Sequence, residues 1–271
     1  MGKFDGYLIC TDLDDTLLTS DKKISDENMK AIEYFKNEGG LFTFATGRIP
    51  QSTGQYVELA KPNAPVIVYN GGGIYDWKNK KFLFRTDLEP GASEVIKYIT
   101  SQFDFAGVEI VTVDDLYICK ENFRVKEHAA IEKVNYIYAE PDDVPEPWIK
   151  ILFMQERDEI GRVREALDNS DFSKKYSFVQ SAPWYYEILP KNSSKGAAGL
   201  KLCEILGIDK LRFIAIGDNE NDIEMISYAA IGAAVENASD KVKSYADIIA
   251  PHHNKDAIAW LINEIEKRTE N

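Results

Sequence analysis

Two hydrophobic textures alternate along this chain. Short continuous apolar runs of four or five residues are followed by stretches in which apolar positions recur three or four apart. Tyr7-Leu8-Ile9-Cys10-Thr11 is the first such run and predicts a buried strand over 8–11. Met29, Ile32 and Phe35 then recur near helical spacing behind Ser25, whose hydroxyl can cap a helix over 25–37, and Gly39-Gly40 stops it. Residues 41–45 and 65–69 read as the next strands, and 74–85 as a hairpin turning at Lys78-Asn79-Lys80. Strand–helix–strand alternation predicts a parallel sheet with right-handed crossovers.

From about Thr86 the texture changes. Pro90 and Gly91 open a helix through Val95, Ile96, Tyr98 and Ile99; short strands are predicted over 108–113 and 117–119, and a helix over 125–133. Pro141, Pro145 and Pro147 make 141–147 a stiff connector. A strand over 149–154, a helix over 157–167 and strands over 176–179 and 184–189 complete a block the size of a small domain. Parallel texture returns after Pro190: a helix over 196–206, a strong strand over 212–216, a helix through Ile223, Met225 and Ile226, and short strands over 231–235 and 247–250. Ile258, Leu261, Ile262 and Ile265 share one face of a closing helix over 256–267.

With 271 residues, 44% of them hydrophobic, the chain can bury one large α/β domain or a core with a smaller insert. The net charge of −13 is spread along the sequence. It repels nucleic acid and anionic membranes, so neither is an expected partner. A phosphorylated substrate is repelled too, unless a cation, a lysine or helix N-termini invert the local field. Cys10, Cys119 and Cys203 are widely spaced and odd in number, as expected of small packing residues in a reducing compartment. The first residues lack the apolar stretch of a secretory signal, and no run is long enough to span a bilayer, which predicts a cytoplasmic protein.

Candidate chemistry lies where strands end. Asp12 and Asp14 follow the first strand, Thr46-Gly47-Arg48 the second, and Asp218, Asn221 and Asp222 the strand over 212–216; Lys195 opens a helix in Ser193-Ser194-Lys195-Gly196. Strand C-termini of a parallel sheet share one edge, so the four loops are expected to meet. Along an extended backbone Asp12 and Asp14 would leave on the same side, and like charges so close call for a shared cation. Carboxylates suit Mg²⁺, while Thr46, the Gly47 N–H and Lys195 suit a phosphoryl group. Asp12 would be the nucleophile, and Asp14 the general acid and then the base. Each piece alone is ordinary turn or helix-start material; the joint order is what points to phosphoryl transfer.

In these motifs the chain resembles the haloacid dehalogenase superfamily, and more closely its Cof-type branch with a C2B-like cap. Asp12, Asp14 and Thr16 match the first motif, Thr46 the second, Lys195 the third, and Gly217, Asp218, Asn221 and Asp222 the fourth. The resemblance implies an α/β fold: a Rossmann-like parallel-sheet core over 1–85 and 190–271, with an inserted α+β cap domain over 86–189. It implies a Mg²⁺-dependent phosphatase of small phosphorylated metabolites, such as sugar phosphates, working through an aspartyl phosphate; a phosphomutase and a non-catalytic phosphate sensor are the alternatives. It further implies that Asp12, the Asp14 main-chain carbonyl and Asp218 hold the metal. Leu13, Thr46, Gly47, Arg48, Lys195 and Asn221 would hold phosphate or substrate, with Asp222 orienting Lys195 or a metal-bound water rather than ligating directly. Asp15 stands where the family usually has glycine. The insert would close over the site and read the leaving group; Arg48, Asn70, Arg124, His128, Trp184 and Tyr185 are candidates for reading substrate, Glu187 for tying cap to core, and His252-His253 for a surface pair.

Overall fold

The computed structural model describes residues 2–132 and 135–269. The chain divides into two compact units, Met1–Phe84 with Ser194–Asn271, and Arg85–Ser193.

The first unit is built on a five-stranded parallel sheet. Its order is Ile248–Ala250, Ile231–Val235, Phe213–Gly217, Leu8–Thr11, Leu41–Phe44. The strands are near-continuous apolar runs because both faces are covered. Leu8, Cys10, Phe213 and Ala215 pack with Ala198, Leu202 and Cys203 of the helix Lys195–Leu206. Ile9, Phe42 and Ile214, which alternate with them, are equally buried. The helices Asp26–Asn37 and Ala257–Thr269 pack on each other. Burying one such Leu or Ile is worth about 2 kcal/mol, so the strand ends inherit a rigid base. Ser25 caps the first helix by accepting from the Asn28 N–H at 3.2 Å. Ala45 bridges in parallel to Ile67, and Val66–Val68, Gly73–Asp76 and Lys81–Arg85 form a small separate sheet.

The helix Pro50–Ala60 carries only a partial apolar signature. Its buried face includes Ser52 and Thr53 beside Tyr56, Val57 and Ala60, a helical spacing written partly in hydroxyls. Both hydroxyls bond back to the Ile49 carbonyl, at 3.3 and 2.8 Å, which lets them pass as core.

The second unit is a six-stranded sheet in the order Tyr176–Ala182, Tyr185–Pro190, Lys150–Met154, Gly107–Val111, Leu116–Lys120, Tyr136–Tyr138. All resolved pairings are antiparallel except the last, which is parallel. Val108, Ile110, Ile151, Phe153 and Ile188 turn to one face, against Val95, Ile96 and Ile99 of the helix Ser93–Gln102 and Ile160, Val163 and Leu167 of the helix Arg157–Asp168. Leu152 and Met154 alternate to the other face with Val125 of the helix Phe123–Glu132; Lys133, predicted to end that helix, lies outside the described residues. The edge strand Tyr136–Tyr138 was hidden from the sequence by its shortness and half-exposed pattern.

Charged residues also line this second face. Lys150 and Glu187 are buried and paired at 2.8 Å, and Ser181 donates to Glu187. Glu187 therefore ties strands within its own unit, correcting the expectation that it joins cap to core. His253 corrects another: it is 6% exposed and its ring nitrogen meets the Leu18 carbonyl at 2.7 Å, because the loop of the histidine pair closes over the first-strand turn. The three cysteines are free, with Cys10 and Cys203 in the core. Among the described residues no helix is long and apolar enough to cross a membrane.

Candidate active site at the strand ends

Parallel register brings the acidic loops together. Thr11 pairs with Ile216, and the Asp12 N–H donates to the Ile216 carbonyl at 2.9 Å, which sets Asp12 beside Gly217-Asp218. Thr16 Oγ1 donates to Asp218 Oδ1 at 2.9 Å, fixing that carboxylate from the first loop. Sequence matching identified Thr16 without its role; only the pairing of two strands 200 residues apart reveals its partner.

Lys195 is the centre of the cluster. It is 1% exposed, and its Nζ donates to Asp12 Oδ1 at 2.5 Å and to Asp222 Oδ1 at 2.7 Å. Ser194 caps the helix by accepting from the Ala197 N–H, so Lys195 begins the first turn. The loop opposite is pressed tightly against it. Tyr69, Asn70 and Gly71 take left-handed φ values of 56°, 53° and 96° in succession. A Cβ on Gly71 would lie 2.0 Å from the Ser194 carbonyl oxygen, so glycine is required there. Asp222 Oδ2 accepts from the N–H groups of Asp218 and Asn219 at 3.0 and 3.1 Å. Both Asp222 oxygens are thus engaged in holding the lysine and the loop.

Among the described residues, Asp12, Asp218 and Asp222 offer carboxylate oxygens within 4.8 Å of one another. Burial foremost, with repulsion from Asp222 and Asp14, pushes Asp12 up to about 7 against the pull of Lys195. Burial, then repulsion from Asp12 and Asp222, pushes Asp218 well above its ordinary value. Burial opposes the charge on Lys195, but the two carboxylates win and raise its pKa. Three acids against one ammonium leave an excess of buried negative charge. An all-oxygen set of this kind fits a hard divalent cation, which would relieve it.

Asp14 departs from the expected arrangement. The backbone does not stay extended: Asp14 is at φ −78°, ψ 132°, but Asp15 turns left-handed at φ 55°, and Leu13–Leu17 form a wide turn closed by Leu18 N–H to the Leu13 carbonyl at 2.9 Å. Leu13, between Asp12 and Asp14, takes helical angles, and the Asp14 carboxylate lies outside the three-acid group. Arg48 Nε and Nη2 grip its two oxygens at 2.8 and 3.0 Å, and Lys22 Nζ reaches it at 3.1 Å. Burial works against ionisation there, yet Arg48 and then Lys22 hold the carboxyl below its ordinary value. Asp15 supplies the turn that glycine usually would; Lys22 approaches its carboxylate at 3.5 Å, and its carbonyl accepts from Asn237 at 2.8 Å.

The remaining candidates separate. Leu13 and Thr46 are buried, and Thr46 Oγ1 accepts from the Arg48 N–H at 3.2 Å. Asn221 Nδ2 donates to Asn70 Oδ1 at 3.0 Å, which joins the second and fourth loops. In the other unit Arg124 pairs with Glu127 and Glu156 at 2.5 and 2.9 Å and lies 4.7 Å above the Trp184 ring. His128 Nδ1 lies 3.0 Å from Glu109, and its ring meets Tyr185 edge-on.

A buried lysine shared between carboxylates, at the C-terminal edge of a parallel sheet with an α+β insert, defines a distinct class of α/β protein. Residues 9–262 match the family of haloacid dehalogenase-like hydrolases, and the chain belongs to it. It is 29% identical over 260 residues to a 5-amino-6-(5-phospho-D-ribitylamino)uracil phosphatase, YcsE of Bacillus subtilis (strain 168), covering 94% of each chain. A second phosphatase of the same name, YitU of that organism, is 25% identical over 261 residues, with 95% of this chain and 97% of the relative covered. Among solved structures, a haloacid dehalogenase-like hydrolase from Bacteroides thetaiotaomicron superposes with a TM-score of 0.81 at 25% identity, covering 96% of this chain and 99% of that one.

Proposed function

We propose that the chain is a Mg²⁺-dependent phosphatase of small phosphorylated metabolites, sugar phosphates or similar, acting through a phosphorylated Asp12. The observation that carries this reading is the buried Lys195 ammonium held between Asp12 and Asp222, with Asp218 alongside. The relatives' names add support, since their substrate is a phosphorylated ribityl compound. The net charge of −13 favours a small substrate over nucleic acid.

Asp12, Asp218 and the Asp14 carbonyl would hold Mg²⁺, which when bound supplies positive charge for the phosphoryl oxygens and for Asp12. The protein's own groups do the rest. Lys195, Thr46 and the Gly47 N–H orient the phosphoryl group and stabilise its charge. An Asp12 oxygen attacks phosphorus as the bond to the leaving oxygen breaks, and Asp14 gives that oxygen a proton. Asp14 then takes a proton from water, the hydroxide attacks the acyl phosphate, and inorganic phosphate leaves with Asp12 restored. For the first half of this cycle Asp14 must carry a proton, so Arg48 has to yield its grip when substrate arrives. The unit over 85–193 would act as the cap that reads the leaving group.

The test is a panel of phosphorylated metabolites assayed with Mg²⁺ and with chelator, using wild type and Asp12→Asn. Phosphate release that needs both Mg²⁺ and Asp12, and a mass increase of one phosphoryl group on the Asp12 peptide after rapid quench, are expected. Isomerisation of a hexose phosphate without phosphate release would make the protein a mutase. Turnover retained in Asp12→Asn would refute the covalent step.

A further inference from the structure

The side chain of Asn70 is 1% exposed, yet its Nδ2 is fully buried with no hydrogen-bond partner. Asn221 Oδ1 is in the same condition, although Asn221 Nδ2 donates to Asn70 Oδ1. Swapping nitrogen and oxygen in both amides does not remove the problem. Two carboxamides joined by one hydrogen bond always leave one NH₂ and one carbonyl oxygen over. An unmatched buried donor is costly, so the pair is built for an acceptor that arrives from outside.

The position of the amide says which acceptor. A Cβ added to Gly47 would lie 2.8 Å from Asn70 Nδ2 and 3.0 Å from Oδ1, so the amide rests directly on the Gly47 backbone. The Asn70 N–H donates to the Thr46 carbonyl at 3.0 Å, and the Tyr69 N–H to the Arg48 carbonyl at 3.1 Å, which clamps the two loops together. On its other side Asn221 is followed by Asp222, which holds Lys195. Gly71, next in the chain, presses on the Ser194 carbonyl, so the loop that carries the spare donor touches both the Thr46–Gly47 loop and the start of the lysine helix. Two non-glycine residues are kept left-handed to put it there.

We propose that Asn70, resting on the phosphotransfer reading above, is a substrate-touching residue whose amide, paired with Asn221, donates a hydrogen bond to a phosphoryl oxygen. This makes the phosphate cradle a two-amide device, with Asn70 outside the four motifs. It also narrows what Asn70 does: it grips the transferred group rather than the leaving group.

The experiment uses Asn70→Asp and Asn70→Gly in the full-length protein with saturating Mg²⁺. Asp is nearly isosteric, keeps an oxygen for Asn221 to donate to and tolerates the left-handed backbone, but loses the donor; Gly keeps the backbone and removes the whole amide. Inorganic phosphate binding is measured by calorimetry, KM and kcat with a phosphomonoester the wild type hydrolyses, and Mg²⁺ binding in the absence of phosphate. A charged hydrogen bond lost at this place should weaken phosphate at least about tenfold in both variants and raise KM, with Mg²⁺ affinity changed less than about threefold. Phosphate binding within about threefold of wild type in both variants would overturn the assignment, as would an equal loss of Mg²⁺ and phosphate, which marks a structural amide. A wild type that neither binds phosphate nor hydrolyses any phosphomonoester would bring down the phosphotransfer reading itself, a result distinct from failure of the variants alone.

Discussion

Replacing Asp12 by Asn in metal-free protein tests whether burial, rather than chain connectivity, governs the acidic cluster. The Asp12 carboxyl is pushed from an ordinary value of 3.8 to about 7. A difference of that size corresponds to about 4 kcal/mol, shared among the coupled carboxylates. The sign follows from proton counting. Between about pH 4 and pH 7 the folded carboxyl keeps a proton that the unfolded one has lost, so folding stability falls as pH rises through that window. Above it the folded protein bears the full cost of the buried charge. Asn cannot titrate, so the wild type should lose stability relative to Asp12→Asn as pH rises. At about 2–4 °C per kcal/mol for a chain of this class, the difference in Tm should shift by about 10 °C between about pH 4.5 and pH 8. Thermal melts in chelator at a series of pH values provide the assay, followed at about pH 8 by addition of Mg²⁺, which should recover the wild type and leave Asp12→Asn nearly unmoved. A difference in Tm that stays level across the series would refute the reasoning.

Two other substitutions probe the surrounding architecture. Asp15→Val places a β-branched residue in a left-handed turn and should cost about 1–2 kcal/mol while lowering turnover, whereas Asp15→Gly should leave both within about 1 kcal/mol of wild type; urea melts and a phosphate-release assay separate them. Lys150→Met strands the buried Glu187 carboxylate and should cost about 3–5 kcal/mol in chemical denaturation, and a second change, Glu187→Met, should restore most of it.

Three of the four loops were legible because each follows a largely apolar strand, and such strands occur in parallel sheets, where C-terminal ends share an edge; Lys195 instead opens a helix. The alternation of Val108 and Ile110 in one unit, and the Ser25 cap in the other, were equally readable from local spacing. The helix Pro50–Ala60 was not, because hydroxyls that bond their own backbone fill places where a pattern search looks for carbon. Asp14 misled for a related reason. Side-chain direction was read from an extended backbone, and Leu13, at helical angles between Asp12 and Asp14, breaks that extension.

The sequence by itself determined the α/β class and the parallel sheet, since these depend on periodicity and on loop positions along the chain. Tertiary structure alone decided which carboxylate serves which partner. Asp222 is drawn to Lys195, Asp14 to Arg48 and Lys22, and Glu187 to Lys150. Charges buried together pair with whatever counter-charge the packing brings within reach, and that reach is set by strand register and loop twist between residues distant in sequence.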